Sequence, residues 1–237
     1  VTEALQYRMY LLAYDAAVHG PFNRSRSGFL VRAALLTELA LRGEAVEADG
    51  EVRLREPQAG TGPWAGGTQT APAARGTGWC ALLLRDRDAT LRTVEEHLAA
   101  RGLLVVEDCR ALVAPVRRVT LTDRNAARTV HRQAAGVLHG PEPADRVPVR
   151  DAALLALAAM GGMSQVVSRT DPRQRARIEA LTSRIGDIAP GLEQAVRALR
   201  GELARSGHGL ASPRDIPATS RVEHPAKLRR RVLPRFL

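Results

Sequence analysis

Apolar residues recur at helical spacing along most of the chain and alternate with polar ones in two short stretches. Leu5, Met9 and Leu12 share one face of residues 3–14, and 28–42, with the run LVRAALLTELAL, ends at Gly43, a natural C′ stop. Residues 44–54 (EAVEADGEVRL) alternate about Asp49-Gly50, a dipeptide suited to a type I′ turn, and predict a hairpin. Leu91, Val94 and Leu98 stripe a helix over 88–101 that stops at Gly102, and 103–107 with 112–120 predict the strands of a second hairpin. Helices follow at 123–138 (Ala126, Val130, Val137), 149–167, 172–186 (Asp171 as N-cap, Pro172 at N1) and 190–206 (Leu192, Val196, Leu199, Leu203). The expected fold is mainly α, a single compact multi-helix domain with short β-hairpins.

Two segments lack this patterning. Residues 57–78 hold too much Gly, Pro, Thr and Ala to pack and read as a flexible loop. Beyond Gly207, prolines at 213, 217, 225 and 234 predict an extended or disordered tail. The chain therefore divides into a helical domain, 1–208, with a hairpin at 103–120, and a Pro/Arg-rich tail, 209–237.

A hydrophobic share of 45% over 237 residues excludes disorder throughout. The formal charge of +10 is uneven. Arg214, Arg221, Lys227, Arg229, Arg230, Arg231 and Arg235 against Asp215 and Glu223 put half of it in the tail. Lys227 is the one lysine beside 34 arginines, a compositional bias that makes any single arginine weak evidence of function. Cys80 and Cys109 are too few for a disulfide framework and fit a reducing, cytoplasmic setting. The N-terminal residues lack a basic n-region, and the longest apolar run, 152–163, is shorter than the roughly 20 residues a spanning helix needs. Membrane contact is expected to be peripheral.

Catalytic motifs find little support. Gly60-Thr61-Gly62-Pro63-Trp64-Ala65 matches a dinucleotide fingerprint in form, but Gly and Thr follow where a helix must start. The six histidines, His131 among them, are scattered, and the carboxylates are dispersed. An enzyme, a metal and a cofactor are not expected. Helix followed by hairpin occurs at 28–55 and at 88–118, which suggests a winged-helix nucleic-acid binder as the alternative. Against it, the first helix offers mainly Arg32, Thr37, Glu38 and Arg42, and the second carries Glu95 and Glu96 where phosphates would approach, so nucleic acid is the weaker expectation.

Three features point to a membrane surface instead. Basic residues of the tail interleave with Leu228, Val232, Leu233 and Phe236, and each is worth about 1 kcal/mol near an anionic leaflet. Leu112, Val113 and Val116 at the hairpin tip are flanked by Arg117 and Arg118, although packing on the body or on a second subunit is the commoner fate of such side chains. Arg32 lies within an apolar helix, where the simpler reading is a stem on the core and a head in water.

The string from Gly28 to Gly43, ending Glu38-Leu39-Ala40-Leu41-Arg42-Gly43, resembles the first characteristic helix of the Golgi phosphoprotein 3 family. EEHLAARGLL at 95–104, TLTDRNAARTVHRQAAGVL at 120–138 and RDAALLALAAMGGMSQVV at 150–167 are similar to its later elements in pattern and order, so the resemblance covers most of 5–206. It implies a non-enzymatic helical domain that binds phosphatidylinositol 4-phosphate on a basic surface, self-associates and touches membrane through its hairpin, and takes cytosolic tails of membrane enzymes as partners. Arg32 falls on the family's headgroup-binding arginine. Asn23, beside Phe22, stands where the family has a tryptophan, and its two further arginines fall near Asp88 and Leu91. Arg85, Arg87 and Arg92 are the nearest substitutes, and the family hairpin corresponds to 107–118.

Overall fold

A computed structural model describes residues 4–15, 17–54, 78–110, 115–163, 166–167 and 171–206. In order, α1 (Leu5–Ala13) leads into the two-residue strands β1 (Tyr14–Asp15) and β2 (Gly20–Pro21), then α2 (Arg24–Leu41). The hairpin β3 (Ala45–Ala48) and β4 (Glu51–Leu54) precedes α3 (Trp79–Leu84) and α4 (Arg87–Ala100). The longer hairpin β5 (Leu104–Arg110) and β6 (Pro115–Leu121) is followed by α5 (Arg124–His139), α6 (Val149–Met160), α7 (Pro172–Gly186) and α8 (Pro190–Ser206). The fold is mainly helical, and the three sheets among the described residues are antiparallel pairs of adjacent strands.

Helix α2 is the centre of the packing, because its apolar residues go most of the way round. It is buried from Ser27 to Glu38 and packs on α1, α3, α4, α6 and α8. A helix apolar on nearly all sides is stable only when enclosed. Its N-terminus is fixed by Asn23, whose side chain accepts from the Arg26 amide at 2.9 Å. Gly28 lets α4 approach closely: a Cβ there would stand 3.2 Å from the Arg87 carbonyl oxygen.

Two buried carboxylates tie the other elements to this core. Glu38, 2% exposed, accepts from the Leu5 amide at 3.3 Å, from Arg42 Nε at 3.0 Å and from Arg150 Nε and Nη2 at 3.0 and 2.9 Å. It thereby joins α1 and α6 to α2. Glu95 of α4, fully buried, accepts from Tyr10 Oη at 3.2 Å, from both Nη atoms of Arg24 at 2.7 and 3.0 Å, and from Arg117 Nε at 2.9 Å. Burial, and then the adjacent Glu95 charge, push the Tyr10 hydroxyl pKa up.

The hairpin β5–β6 pairs from Leu104 opposite Leu121 to Arg110 opposite Pro115. Tyr14 anchors it: the hydroxyl donates to the Val119 carbonyl at 3.2 Å and accepts from the Leu121 amide at 3.3 Å. Asp49 and Gly50 both have positive φ, 56° and 75°, as the type I′ turn requires. Asp123 and Asp171 accept from the amides of Asn125 and Arg173, each at 2.8 Å, and so start α5 and α7.

Several expectations change. Helix α6 ends at Met160 and not at residue 167, because Gly161-Gly162 follows and Gly162 sits in the left-handed region at φ 64°. The sequence pattern does not predict α3 or the small β1–β2 pair. Arg32 does not place its head in water, since it is 2% exposed. Glu95 faces inward, leaving only Glu96 of that pair on the surface. The first helix–hairpin unit cannot enter a DNA groove, because α2 is enclosed along most of its length. The loop expected at 57–78 (all but Gly78), the tail at 207–237, Leu112 and Val113 lie outside the described residues, as do the side chains of Val116, Leu199 and Leu203.

Candidate functional site

Arg32 lies where α2 passes the junction of α3 and α4. Its Nε donates to the Leu82 carbonyl of α3 at 3.1 Å, and its Nη1 donates to Thr90 Oγ1 of α4 at 3.3 Å. The Thr90 hydroxyl in turn donates to the Asp86 carbonyl at 2.8 Å. The remaining nitrogen, Nη2, is buried and has no hydrogen-bond partner among the described residues. Burial pushes the Arg32 pKa down, Asp86 opposes that shift and Arg85 adds to it.

An arginine with one buried, unsatisfied N–H pair is costly unless an acceptor arrives from outside. The surroundings suit an anion. Asp86 precedes α4 in the left-handed conformation, φ 53°, and its side chain caps none of the first-turn amides. A helix N-terminus without a side-chain cap directs N–H groups and the positive end of the dipole outward. Arg85 is exposed and pairs loosely with Asp86 at 3.4 Å, and half-buried Arg87 lies against Gly28 of α2. Asp88 is also in this first turn and offsets part of the positive charge.

The four arginines singled out by sequence do not all meet. Arg85 lies close enough to act on the Arg32 charge, and Arg87 opens α4 beside Gly28. Arg92 is turned away: two residues beyond Thr90, it lies about 200° round α4 on the exposed face. Asn23 is occupied as the α2 cap, and Phe22 packs against the core. On the hairpin, Arg117 is engaged by Glu95 and by Asp108 at 3.4 Å, whereas Arg118 is exposed.

Thr90, the Leu82 carbonyl and Glu95 carry this arrangement and escaped sequence reasoning. Glu95 had a signal, since it lies four residues after Leu91 on the stripe that buries Val94 and Leu98. Thr90 and the Leu82 carbonyl had none, because α3 itself was not foreseen.

A groove of about 820 Å³ runs along α5 and shares none of Arg32's neighbours. Arg8 and Asp151 in its wall pair at 2.6 Å, and Arg177 is committed to the Val137 and Glu142 carbonyls. Among the described residues no group of His, Cys, Asp and Glu is placed to hold a metal, and no described helix is long and apolar enough to cross a membrane.

A family model described as Golgi phosphoprotein 3 (GPP34) matches residues 5–199. The chain belongs to the Golgi phosphoprotein 3 family. No curated protein matches it. The family match runs from α1 into α8 and so includes α2, the α3–α4 junction and the β5–β6 hairpin. Within the Glu38–Gly43 string that resembles the family, Glu38 is structural, holding α1 and α6 in place, and Arg42 pairs with it from the end of α2.

Proposed function

We propose that this member of the Golgi phosphoprotein 3 family is a non-enzymatic, adaptor-like peripheral membrane protein of the cytoplasm. It binds an anionic phospholipid headgroup, phosphatidylinositol 4-phosphate or a similar phosphomonoester, at the α3–α4 junction. The observation that carries the reading is the unpartnered Nη2 of Arg32, buried beside a helix N-terminus that no side chain caps. A phosphate oxygen would supply the missing acceptor, and Arg85 and Arg87 would add charge-assisted bonds. Arg92 is left out of the site.

The hairpin β5–β6 and, with it, Leu112, Val113 and Val116 are assigned to self-association or shallow membrane contact. Of its flanking arginines, Arg118 is available to lipid while Arg117 holds the hairpin to Glu95. Cytosolic tails of membrane enzymes are the protein partners that family membership suggests.

Vesicle co-sedimentation tests the reading. The protein should pellet with phosphatidylcholine vesicles containing phosphatidylinositol 4-phosphate, less with phosphatidylserine at equal charge, and least with phosphatidylcholine alone. Binding should weaken with added salt. No pelleting with any anionic vesicle at low salt would end it. Salt-dependent retardation of duplex DNA by a chain lacking residues 213–237 would restore the nucleic-acid alternative.

A further inference from the structure

α5 carries Arg124, Arg128 and Arg132 and no aspartate or glutamate along its length. The three stand four residues apart, about 6 Å per step, and form one exposed row. None of them makes an ion pair or a side-chain hydrogen bond among the described residues. A solvated helix face ordinarily mixes the two signs of charge, so a row of one sign needs an anionic partner.

One residue further round, Asn125, Thr129 and Gln133 form a second exposed row, and their side chains are also without a partner among the described residues. This second row lines the groove along α5, whose volume falls in the range of about 300–1,000 Å³ usual for clefts that hold ligands. Gly136 follows Arg132 at the next turn and carries the arginine row into the groove, where a Cβ would meet nothing within 4 Å. In the groove wall, Arg8 is 8% exposed; its Nη2 holds Asp151, and its Nε is buried without a partner among the described residues.

The charges define the occupant. The wall holds Asp123, Glu142 and Asp151 beside Arg8 and Arg177, so with the α5 row five arginines face three carboxylates, a surplus of two. Asp151 is paired with Arg8, and Asp123 caps α5, which leaves the row as the uncompensated part. A continuous line of phosphates would run over those carboxylates, and a flat bilayer does not enter a groove. An extended protein chain fits both rows. Its main-chain N–H and C=O groups repeat every two residues, about 6.7 Å, close to the 6 Å step of the helix, and its alternate side chains share one side.

We infer that this face of α5 is a docking site for an extended, acidic segment of a partner protein. Asn125, Thr129 and Gln133 pair with its main chain, as side chains do for strands bound in grooves, and Arg124, Arg128 and Arg132 take its carboxylates. Three arginines in register beside a polar row of the same step carry more than any single arginine of this arginine-rich chain. The docking site is independent of the headgroup reading, since the groove shares no residue with the surroundings of Arg32.

Fluorescence polarisation tests it with a fluorescein-labelled peptide of about twelve residues alternating Glu and Ser, which places every carboxylate on one side. The chain should bind this peptide at low salt, and the Lys-Ser counterpart at least tenfold more weakly. Arg128→Ser should reduce affinity about three- to tenfold, the weight of one charge-assisted contact. Gly136→Leu fills the groove and should reduce affinity at least tenfold, while melting at or above the parent's temperature because leucine is the better helix former at an open position. No polarisation change with the Glu-Ser peptide overturns the inference. So does peptide binding that Gly136→Leu leaves intact, which is charge attraction without a groove. Tighter binding of a duplex DNA of equal charge, lost in Arg128→Ser, overturns it in favour of nucleic acid.

Discussion

Arg32 and Thr90 meet at 3.3 Å, Nη1 to Oγ1, across the contact between α2 and α4, and this bond aims the guanidinium at the first turn of α4. Removing the hydroxyl leaves a second nitrogen of a buried arginine without an acceptor. Thr90→Val should therefore cost about 1–2 kcal/mol in a denaturant titration. It should also weaken binding to phosphatidylinositol 4-phosphate vesicles, because the guanidinium loses its orientation.

Glu95 holds four elements together, taking Tyr10 from α1, Arg24 from α2 and Arg117 from β6. Glu95→Ala strands two arginines that are only partly solvated, with side chains 39% and 22% exposed. A loss of about 2–4 kcal/mol is expected, less than for fully buried partners. Hydrogen exchange should show the β5–β6 amides opening before those of α6 and α7.

Burial pushes the Glu38 pKa up, but the hydrogen bonds and charges of Arg150 and Arg42 outweigh it and hold the carboxyl below its usual value. A carboxyl with a folded pKa below the unfolded one stabilises in full above the unfolded value of about 4.3. That contribution disappears as pH falls through the lower, folded pKa. Stability followed by urea midpoint should thus drop in acid, and Glu38→Gln should flatten that part of the profile while lowering stability at neutral pH.

The arginines near α4 should divide by position. Arg87→Ala is expected to reduce binding to phosphatidylinositol 4-phosphate vesicles about three- to tenfold, the weight of one charge-assisted contact. Arg92→Ala, on the opposite face, should reduce it no more than any surface charge does. Co-sedimentation of both variants at one salt concentration compares them directly.

Much of the fold was legible because each long helix advertises its buried face. Leu91, Val94 and Leu98 mark α4, Asp171-Pro172 marks the start of α7, and Asp49-Gly50 marks a turn. α3 was missed because Trp79-Cys80-Ala81-Leu82-Leu83-Leu84 is too short to show a period and begins without a cap. α6 was read too long because residues 161–167 remain mostly apolar while Gly161-Gly162 has already ended the helix.

The site was legible only in part. Arg32 stands out as a charge in an apolar run, but nothing in the run distinguishes a head in water from a head buried at another helix. Arg85, Arg87 and Arg92 look equivalent by spacing. They separate once α4 is known to begin at residue 87 with Thr90 inward, which turns Arg92 away.

The most direct measurement compares Arg32→Met with the parent chain, in thermal melting and in co-sedimentation with phosphatidylinositol 4-phosphate vesicles. Methionine fills a similar volume without a buried charge, and such replacements are often neutral or stabilising. If Arg32 serves a headgroup, the variant should melt within a few degrees of the parent or above it, yet lose at least tenfold in vesicle affinity, about 1.4 kcal/mol. A variant that melts normally and binds the vesicles as the parent does would contradict the assignment of Arg32 to a lipid headgroup.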